Sequence, residues 1–252
     1  MGRSKEGNWV MEIEFVARSP YFDKVAPRPY PAKEFLPKWY KEMPSYNEDE
    51  NNKRVLTVRY GASSVTPKMC TPMYDTFTTG YIIPLWADVE IRQVDGIPNF
   101  FWRTEAYQFE RHGGWGRGGN DGMTGLTTPD GYSPLVFKWM NGWDFRTPKG
   151  YSCLVTDPYA NENSPFKAIG AVLDSDKLKL SILPPFWVKE GFEGIVEKGT
   201  PMVQVIPFKR ESWKANYSSL KEGEYKLMEE AGFNAHIRNH YKRFVWTKKD
   251  FK

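Results

Sequence analysis

Between Thr147 and Trp213 the chain reads TPKGYSCLVTDP, FKAIGAVLDSD and GIVEKGTPMVQVIPFKRESW, short apolar runs cut at close intervals by glycine and proline. Proline fixes φ and removes a backbone donor, and glycine weakens a helix interior, so no long helix can thread this stretch. Valine, isoleucine, tyrosine and phenylalanine between the cuts favour pleated, half-buried strands. The rest of the chain repeats the pattern, and the whole has 21 Gly, 19 Pro, ten Trp and 16% aromatic residues against little sustained helical periodicity. The expected class is mainly β: a sandwich or barrel core with short peripheral helices and a C-terminal helix.

At 252 residues the chain is long enough for a core that needs no disulfide or metal. No linker suggests a division, so one β-rich domain is expected over 1–252, with a strand and Pro-rich arm at 1–53, a β core at 54–213 and a helical segment at 214–252. Thirty-five Lys and Arg against 31 Asp and Glu leave a net charge of +4, too small a bias to imply nucleic acid when spread over the whole chain. Cys70 and Cys153 are far apart and share no CxxC spacing, so neither zinc nor a disulfide framework is indicated. The N-terminal residues show no apolar signal region, and no run approaches the ~18 apolar residues of a membrane span. A soluble product in a reducing compartment, with no membrane contact, is the expectation.

Along the chain, Trp9–Ala17 alternates with a period near two and predicts a strand. Phe35, Trp39 and Met43 fall at helical spacing and predict a short helix ended by Pro44, with Pro37 in its first turn. Residues 47–52 read as a loop and Arg54–Tyr60 as a strand. Tyr81–Ile83 and Ala87–Ile91 are strand pieces broken at Pro84, which belongs at an edge or a bulge. Asp95-Gly96 signals a tight hairpin. His112–Gly131, HGGWGRGGNDGMTGLTTPDG, reads as a long loop. Strands follow near Leu135–Trp139, Gly150–Thr156, Ala168–Leu173, Lys177–Leu183, Gly194–Val196 and Met202–Phe208. Glu222–Ala231 and Asn234–Thr247 have helical character, the second with Asn234 as N-cap.

The phrases FLPKWYKEMP, TTGYIIPLWADVEI, TPKGYSCLVTDP and EGFEGIVEKGTPMVQVIPFKRESW resemble an uncharacterised family, a domain of unknown function met in tailed bacteriophages and some bacteria. The resemblance spans roughly Pro31 to Lys248 and implies a viral origin without an activity. A second, local similarity links AVLDSD at Ala171–Asp176 and KGTPMVQVI at Lys198–Ile206 to two signatures of the dUTPase and dCTP deaminase group. That similarity implies a β-clip-like barrel, an aspartate at Asp174 that positions the attacking water, and a core-strand glutamine at Gln204. The chain departs from the group in offering Lys177 and Leu178 where an aromatic residue stacks on deoxyribose. It also lacks the Gly-Arg-Ser-Ser phosphate signature, and TTGYIIP lacks the aspartate of the first signature.

Several residues invite a chemical reading, each with a plainer one beside it. Asp174 and Asp176 alternate, so on a strand they share a face and form a candidate ligand site with Gln204; the plainer reading is a strand-end turn with Asx caps. His236 and His240 have the i, i+4 spacing of a metal pair but no third ligand, and a basic helical face accounts for them. His112 has no nucleophile beside it. Arg111, just before the glycine-rich loop, and Arg117, within it, are candidate anion or partner contacts, although the loop does not match a phosphate-binding loop. Beyond His236, Arg238, Lys242, Arg243, Lys248, Lys249 and Lys252 are interleaved with Tyr241, Phe244 and Trp246, the best local case for nucleic acid or an acidic partner, although a solvated helix face also explains it. Trp102, Trp115, Trp139, Trp143 and Trp187 are explained by a β core without a sugar ligand.

No complete acid-base, nucleophile or metal set emerges, so no catalytic residue, metal or cofactor is expected. The reading is a phage-type structural or protein-interaction protein in the host cytoplasm or the virion, with a virion component or host factor as its protein partner. The alternative is a nucleotide-binding or nucleotide-processing protein on a dUTPase-like scaffold. Oligomeric state is not encoded legibly.

Overall fold

The computed structural model describes residues 2–3, 9–56, 63–102, 116–117, 126–161, 164–179, 182–221, 223–230 and 241–252, with backbone alone for 2–3, 9–10 and 116–117. The chain forms two compact units: Met1–Phe35 with Gly80–Arg210 and Lys252, and Leu36–Thr79 with Glu211–Phe251. The second is assembled from two segments far apart in sequence, which is why no linker marks it.

The first unit is mainly β, as expected, and among the described residues every strand pair in it is antiparallel. Its early elements are β1 Gly2–Arg3, β2 Trp9–Val10, β3 Glu14–Ala17, helix α1 Pro20–Val25, β4 Tyr30–Pro31, β5 Tyr81–Pro84, β6 Val89–Val94 and β7 Ile97–Trp102. Then come β8 Gly116–Arg117, β9 Tyr132–Lys138, β10 Trp143–Arg146, β11 Tyr151–Thr156, β12 Phe166–Ala168, β13 Ala171–Leu173, β14 Pro185–Lys189, β15 Gly194–Val196 and β16 Pro201–Lys209. They make open sheets in the orders β13-β11-β16-β5-β4, β12-β14-β9-β8 and β15-β6-β7, plus the pairs β1-β2 and β10-β3; the described strands close no barrel.

The central strand β16 is buried from Pro201 through Val205. It is bonded to a neighbour on each side, and because successive residues point to opposite faces and all five are buried, neither face meets solvent there, which its near-continuous apolar run reflects. Its Val203 and Val205 share one core with Cys153 and Val155 of β11, Phe137 of β9, Phe186 and Val188 of β14, and Phe22 of α1. Edge-to-face rings knit the four-stranded sheet to β7: Phe100 lies 4.9 Å from Phe137 and 6.1 Å from Phe186. Ser19 caps α1 by accepting from the Phe22 N–H at 3.3 Å. The Asp95-Gly96 hairpin is present, with φ of 52° and 71° and Val94 paired to Ile97, as a primed two-residue turn requires. Pro84 lies opposite Pro201 beside the register shift between Pro201 and Val203, so the strand carries its proline at a bulge.

Three expectations need correction, and some elements are not among those expected at all. The stretch expected as one strand, Ala168–Leu173, is split between β12 and β13, which belong to different sheets. Lys177–Leu183 is not a strand over its described residues. Side chains satisfy its backbone instead: the Ile182 N–H donates to Asp144 Oδ1 at 3.1 Å, and Asn141 Nδ2 donates to the Ile182 carbonyl at 2.9 Å, with Arg18 donating to the same oxygen. Strands β10 and β14 and the helix at Thr71–Thr78 go beyond what the sequence pattern announces. Of the helix expected over Asn234–Thr247, residues 234–240 lie outside the described residues, Tyr241–Val245 forms a single π-helical turn, and 246–250 have no regular structure.

In the second unit, α2 spans Lys38–Glu42 with Pro37 as its extended N-cap, and α3 spans Thr71–Thr78 with Pro72 in its first turn. Tyr40 of α2 packs edge-to-face on Phe77 of α3, ring centres 5.2 Å apart, and Trp39 lies 6.2 Å from the same ring. Residues 224–230 are helical, and Tyr241–Val245 forms one π-helical turn.

Candidate functional site

The acidic pair sits at one end of the sheet, on the turn that follows β13. The Asp176 carboxylate accepts from the Gly150 N–H at 2.8 Å and from Arg210 Nη1 at 2.7 Å, and Arg210 Nη2 closes a second contact on it. Asp174 accepts from the Ser152 hydroxyl at 2.8 Å and lies 3.2 Å from Arg210 Nη1. Between the two, the Ser175 hydroxyl lies 2.7 Å from that of Thr147 and donates to Cys153 Sγ at 3.3 Å. Burial pushes the Cys153 thiol up to about 11, against the opposing bond from Ser175. The Arg210 fork, then the Gly150 N–H, hold the Asp176 carboxyl well below the usual carboxylate range. Asp176 is 3% exposed and Asp174 52% exposed, so only Asp174 faces solvent. The two acids therefore lock β11, β13 and the end of β16 together.

Gln204 is elsewhere. It pairs with Thr156 in β11, whereas Leu173 pairs with Cys153 and Cys153 with Pro207. Asp174 is thus level with Phe208, four strand positions from Gln204, roughly 13 Å along the strand. The structure does not bring Gln204 to the acidic pair. Buried at 1% exposure, Gln204 accepts from the Tyr159 N–H at 3.2 Å and holds the loop that leaves β11.

That loop carries a perturbed acid to which no sequence motif points. Asp157 accepts from the Ala168 N–H at 2.9 Å and ties the end of β11 to β12. Burial pushes its carboxyl up to about 6, with the Ala168 bond and Lys167 opposing. Lys167 itself sits 5.5 Å over the Tyr132 ring.

Of the other residues drawn from the sequence, Arg111, His112, Arg238, His236 and His240 lie outside the described residues. Arg117 pairs with Phe137 through its backbone. Lys242 and Arg243 are exposed on the π-helical turn of the second unit. Among the described residues no three His, Cys, Asp or Glu gather as a metal site, and no helix is long and apolar enough to cross a membrane.

Lys242 does join a concave site. The second unit forms an open cavity of about 330 Å³ lined, among the described residues, by Leu36, Tyr40, Lys41, Lys68, Met69, Thr71, Tyr74, Lys242 and Trp246. Two clamps shape it. Lys68 Nζ donates to the carbonyls of Tyr40 and Lys41, both at 2.7 Å, satisfying the open carbonyl end of α2. On the other wall, Asp75 of α3 accepts from Trp246 Nε1 at 2.9 Å and from Lys249 Nζ at 2.6 Å, which fixes the C-terminal segment against the helix. The lining residues come from opposite ends of the chain, so no local motif could have announced them.

A further feature of the same unit is its arm. Residues 211–221 have no regular structure and every one of them is exposed. Trp213 and Tyr217 are 87% and 91% exposed.

No known family's sequence profile matches the chain, and neither a curated protein nor a solved structure matches it. The phage-type and dUTPase-like resemblances stand on the quoted residues alone.

Proposed function

We propose that the chain is a protein-interaction component of phage structural or host-contact type, and that the arm Glu211–Lys221 is the segment its partner covers. The observation that carries this reading is the exposure of Trp213 and Tyr217, with Leu220 at 54%, Tyr225 at 60%, Leu227 at 66% and Met228 at 59% following within eleven residues of Tyr217. Isolated apolar side chains on a surface need no explanation, but a run of this density does.

The energetics favour a protein partner. A Trp and a Tyr buried together remove roughly 300 Å² from water, worth about 8 kcal/mol gross at ~25 cal/mol per Å². Association and ordering of an arm consume a comparable amount, so the pair anchors a complex only with the neighbouring Leu, Tyr and Met contributing. Trp and Tyr are also the side chains that most often dominate protein interfaces. The acidic pair, by contrast, already uses its oxygens on Arg210, Gly150 and Ser152.

A photo-cross-linking residue placed at Trp213 or Tyr217 tests the reading in cells producing the full set of particle components. One protein species is expected on both probes, and the Trp213→Ser, Tyr217→Ser double variant is expected to lose that species in co-sedimentation while keeping its melting temperature. Scattered cross-links with no common species, or an unchanged complex in the double variant, refutes it.

A further inference from the structure

The cavity of the second unit has a lining of definable chemistry. Among the described residues it holds three lysines, three aromatic rings, one threonine and no acid. Lys41 and Lys242 are exposed cations at its rim. Lys68 gives two of its three N–H groups to the α2 carbonyls and sits 5.1 Å over the Tyr40 ring, which leaves one donor for a guest. Asp75, the acid that could neutralise this rim, is engaged by Lys249 and Trp246.

Tyr40 supplies the second, independent observation. It is 2% exposed, it lines the cavity, and its hydroxyl has no hydrogen-bond partner among the described residues. A buried hydroxyl left unmatched costs free energy, and a bound acceptor removes that cost. Burial, then Cys70 and Tyr74, push the phenol upward, so it remains a donor at any physiological pH.

A volume of about 330 Å³ is at the small end of ligand pockets. We propose that this cavity binds a small organic anion that joins a phosphate or carboxylate to a planar ring, directly as in aromatic carboxylates or through a sugar as in nucleoside monophosphates. The anionic group is drawn by Lys41, Lys68 and Lys242, beside which the described lining places no acid. The ring lies against Trp246 and Tyr74, and the Tyr40 hydroxyl donates to an oxygen of the guest. This site is separate from the arm, and its occupancy does not depend on the protein partner.

Calorimetric titration of the full chain tests the assignment with the four common nucleoside monophosphates and a hydroxybenzoate, alongside adenosine and inorganic phosphate. At least one joined molecule is expected to bind with Kd below about 1 mM, and the ring alone or phosphate alone at least ~10-fold more weakly. Response to nucleotides only, or to the carboxylate only, identifies the source of the ring. Lys242→Gln and Lys41→Gln are each expected to weaken binding several-fold, and raised salt to do the same. Tyr40→Phe separates a ligand role from a structural one: it is expected to leave the free protein as stable or more stable, yet to weaken the guest by about ten-fold. No heat from any joined molecule at millimolar concentration overturns the proposal. So does binding that survives Lys242→Gln, Lys41→Gln and Tyr40→Phe unchanged, or binding lost in Asp174→Asn instead.

Discussion

Arg210 grips Asp176 with both terminal nitrogens across 34 residues of sequence, and the same Asp176 carboxylate caps the Gly150 N–H. A side chain 3% exposed with three donors on it has no free oxygen to offer a ligand, and its loss strands the guanidinium and the amide together. Asp176→Asn is therefore expected to lower the melting temperature by about 5 °C, whereas Asp174→Asn, 52% exposed, lowers it by about 1 °C or less. The sign with pH follows from the depressed Asp176 carboxyl. Its stabilisation is complete above the ordinary carboxylate value and is lost as pH falls from there toward the folded value, so acid melts of Asp176→Asn are expected to lack that component. Equal costs for the two variants, measured by thermal unfolding at pH 7, contradict the assignment.

Asp157 titrates with the opposite sign. Its folded carboxyl is pushed up to about 6, chiefly by burial, while the unfolded one ionises near 4. Between those values the native state holds the proton and the unfolded chain does not, so this group makes stability fall as pH rises from about 4 to about 6. The full shift corresponds to about 3 kcal/mol; partial solvent access reduces the expected effect to about 1–2 kcal/mol. Asp157→Asn keeps an oxygen for the Ala168 N–H and removes the titration. Urea unfolding at pH 4.5 and pH 7 is expected to show a smaller loss for the variant than for the parent, and a variant more stable than the parent at pH 7. A parent and variant with the same pH dependence would exclude Asp157 as the titrating group.

The legibility of this chain follows the range of the forces involved. Strands β11 and β16 are readable because YSCLVT and MVQVIPF state their β preference within six or seven residues, and the Asp95-Gly96 turn because its backbone requirement is local. Helix α3 is not, since TPMYDTFT holds three threonines and two aromatics of middling helix propensity, and its fold depends on Phe77 meeting Tyr40. Strand β14 is hidden behind two prolines, and Ile182 looks like strand but is bonded by Asp144 and Asn141. The two aspartates are visible as a pair, but their partner Arg210 is not, because nothing local joins DSD to FKRESW. The cavity is least readable of all: its walls meet only after α2, α3 and the segment from Tyr241 come together.

Gly80 carries the sharpest steric prediction. It is buried immediately before β5 with φ of +79°, and a Cβ there would lie 2.2 Å from the Val205 carbonyl oxygen of the central strand. Its own carbonyl accepts from the Ala32 N–H at 2.9 Å, so the segment cannot swing away without breaking that bond. Gly80→Ala must meet both the left-handed backbone penalty and the overlap with β16, and is expected to cost about 3–4 kcal/mol. Gly96 isolates the first contribution, having φ of +71° and open space within 4 Å of where a methyl would sit, and Gly96→Ala is expected to cost about 1 kcal/mol. Chemical unfolding of the two variants separates the effects. Val205 is 0% exposed and lies in the strand that every other part of the five-stranded sheet is built on, so relief by displacement of β16 would open the core. A cost for Gly80→Ala no greater than that for Gly96→Ala would mean that β5 and β16 do not approach as closely as their register requires.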